Sequence, residues 1–270
     1  MYDVYNEHRI TKTAATLLNA MGIEKHPEMD DAHSAVIAKM KDRFSGENAD
    51  RLFIYNPDAV ALWLYQKYTH LFEKTMVTSD MAFPVLSVMP SVTPVCFASM
   101  YSGMLPEKHG IRKYEKPVLK VPTFYDEMLK AGKKVAIVCT DGDSISRIFL
   151  ERDVDYYFYP TVAEVNAKAE ELINESRHDA IVVYNGNFDY TMHKNGPEAE
   201  ISLEQISKNG ETYQYFVNLI KEKWADKNVM FGFLPDHGCH EIDGDCGSHG
   251  LEMTADMNII HFYGFKPRKA

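Results

Sequence analysis

Carboxylate and imidazole side chains fall in three short stretches of this chain. Asp189 and His193 stand four residues apart in NFDYTMHKNGP, Asp236 and His237 are adjacent in LPDHG, and His249 lies in GSHG. Carboxylate oxygen and imidazole nitrogen are the donors that zinc and similar borderline dications prefer. A cage with few protein ligands per ion is the open, catalytic kind, and a phosphate ester is its natural guest. Thr93, in PSVTPVCF, adds a hydroxyl just before a helix expected to start near Pro94 or Val95, since proline suits a first helical turn. Exposed amides and the positive end of the helix dipole favour an alkoxide or a bound anion there.

Each piece has a plainer explanation beside the chemical one. Asp189 and His193 could be a solvated helical pair worth a few tenths of a kcal/mol. Asp236 and His237 could form an ordinary strand-end turn with Gly238. Asp58 could cap the helix that follows it, and Ser91 competes with Thr93 as the hydroxyl of interest. His240, Asp243 and Asp245 compete with His249 in the same polar loop, and Cys239 and Cys246 flank it as alternative soft ligands. His109 reads as a support for its loop, and TDGDS, around Asp141 and Asp143, as another edge loop that shapes a pocket.

Elements that could gather these residues are visible in the apolar pattern. RLFIY precedes Asn56-Pro57-Asp58, KVAIVC precedes TDGDS, AIVVY precedes NGNFD, and VMFGFL precedes PDHG, so each apolar run ends in an acidic loop. Helical spacing is expected over about 59–73, 122–131, 161–176 and 210–225, and NIIHFY supplies a last strand. Strands alternating with helices call for an α/β fold with a mostly parallel central sheet sandwiched by helices. In such a sheet the loops beyond the carboxyl ends of the strands collect at one edge, where Asp58, Asp189 and Asp236 all fall. Two leading helices, around Leu17 and Ile37, form an N-terminal extension over about 1–48, and no composition break divides the 270 residues, so one domain is expected.

A formal net charge of -10 argues against gripping a nucleic-acid polymer, which needs a broad basic face. Two bound dications would offset four of those ten charges. The first residues lack the uninterrupted apolar core of a secretory signal, and no stretch approaches the roughly 20 apolar residues that cross a bilayer. A cytoplasmic protein without membrane attachment is the expectation, with Cys96, Cys139, Cys239 and Cys246 as free thiols.

In this order, the pieces resemble the alkaline phosphatase superfamily, and within it the type I phosphodiesterases and nucleotide pyrophosphatases. The resemblance runs over about 51–265. It is carried by Asp58, by Thr93 through Ser102-Gly103 and Pro106 to His109-Gly110-Ile111, by Asp189 and His193 followed by Gly196-Pro197, by Asp236-His237-Gly238, and by His249. It implies two divalent metal ions, zinc or manganese. Asp189, His193 and His249 would hold one; Asp58, Asp236 and His237 would hold the other, with Thr93 touching the second. Thr93 would attack phosphorus to give a phosphothreonine that is then hydrolysed, on a small phosphorylated substrate.

Departures from that pattern carry their own expectations. Where nucleotide-cleaving relatives place an asparagine shortly after His-Gly-Ile, this chain has Arg112, Lys113 and Tyr114. Arginine grips phosphate oxygens bidentately and lysine as a point charge, so a phosphomonoester or phosphonate is the alternative to a diester or nucleotide pyrophosphate. Thr93 cannot become the formylglycine of the sulfatases, and too few residues separate Gly110 from Asp189 for the large cap domain of the mutases. A metal-binding or sensing module without catalysis is the non-enzymatic alternative.

Overall fold

The computed structural model describes residues 4–269. Nine strands occur in it: β1 (Arg51–Pro57), β2 (Met81–Leu86), β3 (Val135–Thr140), β4 (Asp155–Tyr159), β5 (Ala180–Asn185), β6 (Val229–Phe233), β7 (His240–Ile242), β8 (Cys246–Ser248) and β9 (Asn258–Lys266). Seven make the central sheet, in the order β2-β9-β6-β1-β5-β3-β4, and β7 pairs with β8 in a separate hairpin. The sheet is parallel from β6 to β4, while β9 runs antiparallel to both β6 and β2. Helices flank it, and no separate cap domain occurs among the described residues.

Continuous apolar runs fit the inner strands because a parallel sheet is covered on both faces. Successive residues then serve opposite cores. Leu52 and Ile54 of β1, with Val182 and Tyr184 of β5, face one hydrophobic layer; Phe53 and Tyr55, with Ile181 and Val183, face the other. The leading helices Lys12–Ala20 and Ser34–Arg43 bury Leu17, Leu18, Val36 and Met40 in the first layer. Residues just ahead of them run beside β2, where the Ile10 amide donates to the Leu86 carbonyl at 2.8 Å and the Leu86 amide to the His8 carbonyl at 2.7 Å. That contact pairs the outer edge of β2 at its last residue, Leu86, whose amide and carbonyl would otherwise be open.

Several elements differ from the sequence expectation. The stretch after Asp58 is three short helical pieces, Leu62–Lys67, Thr69–Phe72 and Glu73–Thr78. The helix expected from about 210 begins at Glu200 and runs to Lys223. Strands β2, β4 and the β7–β8 hairpin carry weak sequence signals. β2 contains Pro84, which an edge strand tolerates, and β4 is the other edge and half-exposed. No helix among the described residues is long and apolar enough to cross a membrane.

Register places the site. Tyr55 of β1 lies opposite Val183 of β5 and Phe233 of β6, so the carboxyl ends of these three neighbours are level. Asp58, Asp189 and Asp236 follow those ends within a few residues and meet at one rim of the sheet.

Candidate metal centre

Two groups of ligand-type atoms converge there, Asp58 with Asp236 and His237, and Asp189 with His193 and His249, each group lying within 4.8 Å. In the first, His237 Nε2 is 3.3 Å from Asp58 Oδ1 and 3.4 Å from Asp236 Oδ2. In the second, Asp189 Oδ1 is 3.3 Å from His193 Nε2 and 3.5 Å from His249 Nε2. The His237 and His249 rings stack at 4.1 Å, which joins the groups into one centre. Thr93 opens the helix Thr93–Ser102 and is buried. Its Oγ1 lies 3.2 Å from His237 Nε2 and 3.4 Å from Asp58 Oδ2.

Local backbone explains how adjacent residues point inward. Asp58 caps no helix here, because the next one begins at Leu62 with Ala61 at its cap. Ala59 instead turns through the left-handed region (φ 64°), a conformation costing a non-glycine residue about 1–2 kcal/mol, and its amide donates to Asp236 Oδ1 at 3.3 Å. Gly238 is forced by space, since a Cβ there would come 2.0 Å from the Ala255 carbonyl oxygen. Asp256 ties the following loop by accepting from His240 Nδ1 at 2.7 Å and from the Leu251 amide at 2.8 Å.

The histidines share one feature that decides their chemistry. His193 Nδ1 donates to the Gly247 carbonyl, His237 Nδ1 to the Gly238 carbonyl and His249 Nδ1 to the Ser91 carbonyl, each at 2.9 Å. A carbonyl only accepts, so Nδ1 carries a proton, and in the neutral imidazole Nε2 turns its lone pair toward the centre. Asp58 Oδ1, Asp189 Oδ1 and Asp236 Oδ2, the oxygens those Nε2 atoms face, are buried and have no hydrogen-bond partner. Acceptors turned on acceptors repel unless positive charge lies between them. The donor set therefore fits divalent cations, with the outer ring nitrogens anchored as metal-binding histidines usually are.

Ionisation follows the same logic. Burial, then the Asp189 charge, pushes the Asp58 carboxyl up to about 6, and burial with the Asp58 charge drives Asp236 well above the usual range. Burial acts upward on Asp189, but the close approach of His193, with His237 and His249 beside it, outweighs burial and holds the carboxyl below the usual value. Burial, then His237, depresses His249 to about 3, which keeps its Nε2 unprotonated.

Competing residues are placed elsewhere. Ser91 Oγ donates to the Leu251 carbonyl at 3.4 Å, and His240 is committed to Asp256. Asp243 and Asp245 are exposed in the hairpin turn. Neither Cys239, which is buried, nor Cys246 belongs to either ligand group. His109 Nε2 pairs with Ser99 Oγ at 2.8 Å and its Nδ1 accepts the Ile111 amide at 3.2 Å, supporting its loop. Arg112, Lys113 and Tyr114 are exposed: Arg112 donates to the Glu107 carbonyl at 3.0 Å, Lys113 pairs with Glu115 at 3.4 Å, and Lys116 lies over the Tyr114 ring at 5.4 Å.

Two further residues lie near the centre. Tyr184, inside the run AIVVY, donates its hydroxyl to Asp58 Oδ2. Asp143, in TDGDS, is raised to about 7 by burial and then by the Asp58 charge, and accepts from Thr140 Oγ1. A position after an apolar run is a signal for Asp143, whereas Tyr184 reads only as a strand residue.

No protein-family model matches this chain, and no curated protein matches it. Solved structures do. Murine ectonucleotide pyrophosphatase/phosphodiesterase 5 superposes with a TM-score of 0.56 at 16% identity, over 72% of this chain and 58% of that one. The fold is that of the alkaline phosphatase superfamily. Phosphonoacetate hydrolase from Sinorhizobium meliloti 1021, in complex with phosphonoacetate, gives a TM-score of 0.52 at 16% identity, over 74% of this chain and 61% of that one. An inactive variant of the murine protein, with a threonine replaced by alanine, holds AMP and matches with a TM-score of 0.54 at 15% identity, over 72% and 59%. The chain thus spans about three fifths of the length of the solved structures it matches.

Proposed function

We propose that this protein is a two-metal phosphohydrolase that cleaves a small phosphate ester through Thr93. Asp189, His193 and His249 would hold one divalent ion; Asp58, Asp236 and His237, with Thr93 beside them, would hold the other. Bound dications in this arrangement neutralise charge on the attacking and leaving oxygens and lower the pKa of a nearby hydroxyl. The single observation that carries the reading is three partnerless buried carboxylate oxygens, each faced by an imidazole Nε2, next to a buried threonine hydroxyl.

The chain's own groups divide the work. Thr93 Oγ1 attacks phosphorus while the bond to the leaving oxygen breaks, and water then cleaves the phosphothreonine. The start of the Thr93–Ser102 helix, with Val92 at its cap, presents amides and a positive dipole end beside Thr93, which would favour a phosphoryl group bound there. The Nδ1 anchors keep the three imidazoles oriented throughout.

A phosphodiester or nucleotide pyrophosphate ranks first as substrate, supported by the likeness to the pyrophosphatase/phosphodiesterase fold. Phosphonate or phosphomonoester cleavage is the second reading, supported by the likeness to phosphonoacetate hydrolase and by the exposed cations Arg112 and Lys113 on the loop after His109. Zinc suits the mixed nitrogen and oxygen donors, and manganese accepts the same set. Four unpaired cysteines suit a reducing, cytoplasmic compartment.

Metal analysis of the purified protein, followed by assays on nitrophenyl phosphodiesters, phosphomonoesters and phosphonates, tests the reading. Two bound dications and turnover that a chelator removes are expected. Bound metal without turnover on any of the three would replace hydrolysis with a binding or sensing role, and absence of metal affinity would overturn the centre itself.

A further inference from the structure

Tyr184 ends the inward face of β5 with 4% of its surface exposed, and its hydroxyl donates to Asp58 Oδ2. Thr93 Oγ1 approaches that same oxygen at 3.4 Å. Asp58 Oδ1, in contrast, has no partner and lies 3.3 Å from His237 Nε2. A carboxylate has two equivalent oxygens until something distinguishes them, and here a phenol does. The backbone makes room for it: a Cβ on Gly186 would stand 2.9 Å from the Tyr184 hydroxyl oxygen. On its other side the Tyr184 ring meets Phe97 of the Thr93–Ser102 helix edge-on, 5.6 Å between centroids.

We propose that Tyr184 is a positioning residue for the ion site beside Thr93: by holding Asp58 Oδ2 it presents Asp58 Oδ1 to the cation and fixes that site relative to the nucleophile helix. This rests on the two-metal reading above. At neutral pH a phenol is a donor toward a carboxylate, so the contact removes one oxygen from competition for metal and holds it on the Thr93 side, leaving Oδ1 for the cation. Hydrogen-bond partners of ligands of this kind typically change metal affinity about 10- to 100-fold when removed. The braced ring adds a geometric consequence, because movement of Asp58 and movement of the Thr93 helix are coupled through one side chain.

Zinc dissociation constants, measured by chelator competition in the full chain, test this. His193→Ala, which removes a ligand of the other ion, provides a background in which one ion remains. In that background Tyr184→Phe should weaken the remaining zinc about 10- to 100-fold, and Gly186→Ala, which crowds the hydroxyl without deleting it, should shift it in the same direction. In the otherwise native chain Tyr184→Phe should weaken one zinc and leave the second within about twofold. Turnover of a nitrophenyl phosphodiester should fall in kcat at limiting zinc and recover with excess zinc, with KM little changed. Native zinc affinity in Tyr184→Phe, or equal weakening of both ions together with a lowered melting temperature, would overturn the assignment. If the unaltered chain binds no zinc, the two-metal reading fails first, and that result is distinct from a failure of Tyr184 in a chain that binds two.

Discussion

Asp58, Asp236 and His237 hang on the ends of strands β1 and β6 with at most 1% of their side-chain surface exposed, whereas His193 rides a helix against the β7–β8 hairpin with 39% of its side chain in solvent. The buried half is held by the sheet itself. Its geometry is set by strand register, and its charges are cut off from water, so a cation or protons must compensate them. The open half is ionised without help, since Asp189 sits below the usual carboxylate range among three imidazoles. One half of the centre thus lies against the Thr93 hydroxyl, and the other is open to solvent.

Thr93→Ala should strike hardest, lowering turnover by about 10³-fold or more while both ions stay bound, read by steady-state kinetics with metal analysis. Retained turnover would move the nucleophile to another group. Asp236→Asn should weaken one ion by at least about 100-fold yet stabilise the chelated protein by about 1–3 kcal/mol, because an uncompensated buried carboxylate is gone. Urea unfolding in chelator checks the sign, and a destabilised chelated variant would break the contrast between the halves.

Asp58 sharpens that contrast through pH. Its folded value is raised to about 6 by burial and the Asp189 charge, against about 3.9 in an unfolded chain. The stability its protonated form contributes is therefore complete below about pH 4 and lost as pH rises through about 6. In chelator, the stability of Asp58→Asn relative to the unaltered protein should climb by on the order of 2–3 kcal/mol between pH 4 and 7. A flat difference would show that Asp58 is ionised across the whole range. At the open half, His193→Ala should weaken its ion by more than about 100-fold, so that one ion remains at limiting zinc, and change chelated stability by no more than about 0.5 kcal/mol. Smallest of all, Lys113→Ala should alter KM by less than about fivefold, as its exposed pairing with Glu115 suggests.

Ligand types and their places along the chain were legible because each follows an apolar run, and such runs become strands whose carboxyl ends meet. Thr93 was legible from the proline after it. The choice of His249 over His240 was not, since both lie in one polar loop and differ only in what each faces: the Ser91 carbonyl and Asp189 for one, Asp256 for the other. Strand β2 escaped because Pro84 disguises it, and the long helix from Glu200 because its first turns bury little.

Asp58 shows the division most clearly. Local pattern left it between helix cap and ligand; a left-handed turn at Ala59 and a helix that starts only at Leu62 removed the first option. Tyr184 shows what pattern cannot reach, because its partner lies just past the end of another strand and only the pairing of β1 with β5 brings them together.

Residue types and hydrophobic periodicity are local properties, so the chain's order of amino acids determined the alternating strands and helices and the kind of ligand available at each loop. Which lone pairs point inward, which oxygens are left without partners and which half of the centre is dry depend on register between distant strands and on packing around it. Those were decided by the tertiary structure, because orientation and desolvation exist only once remote segments are in contact.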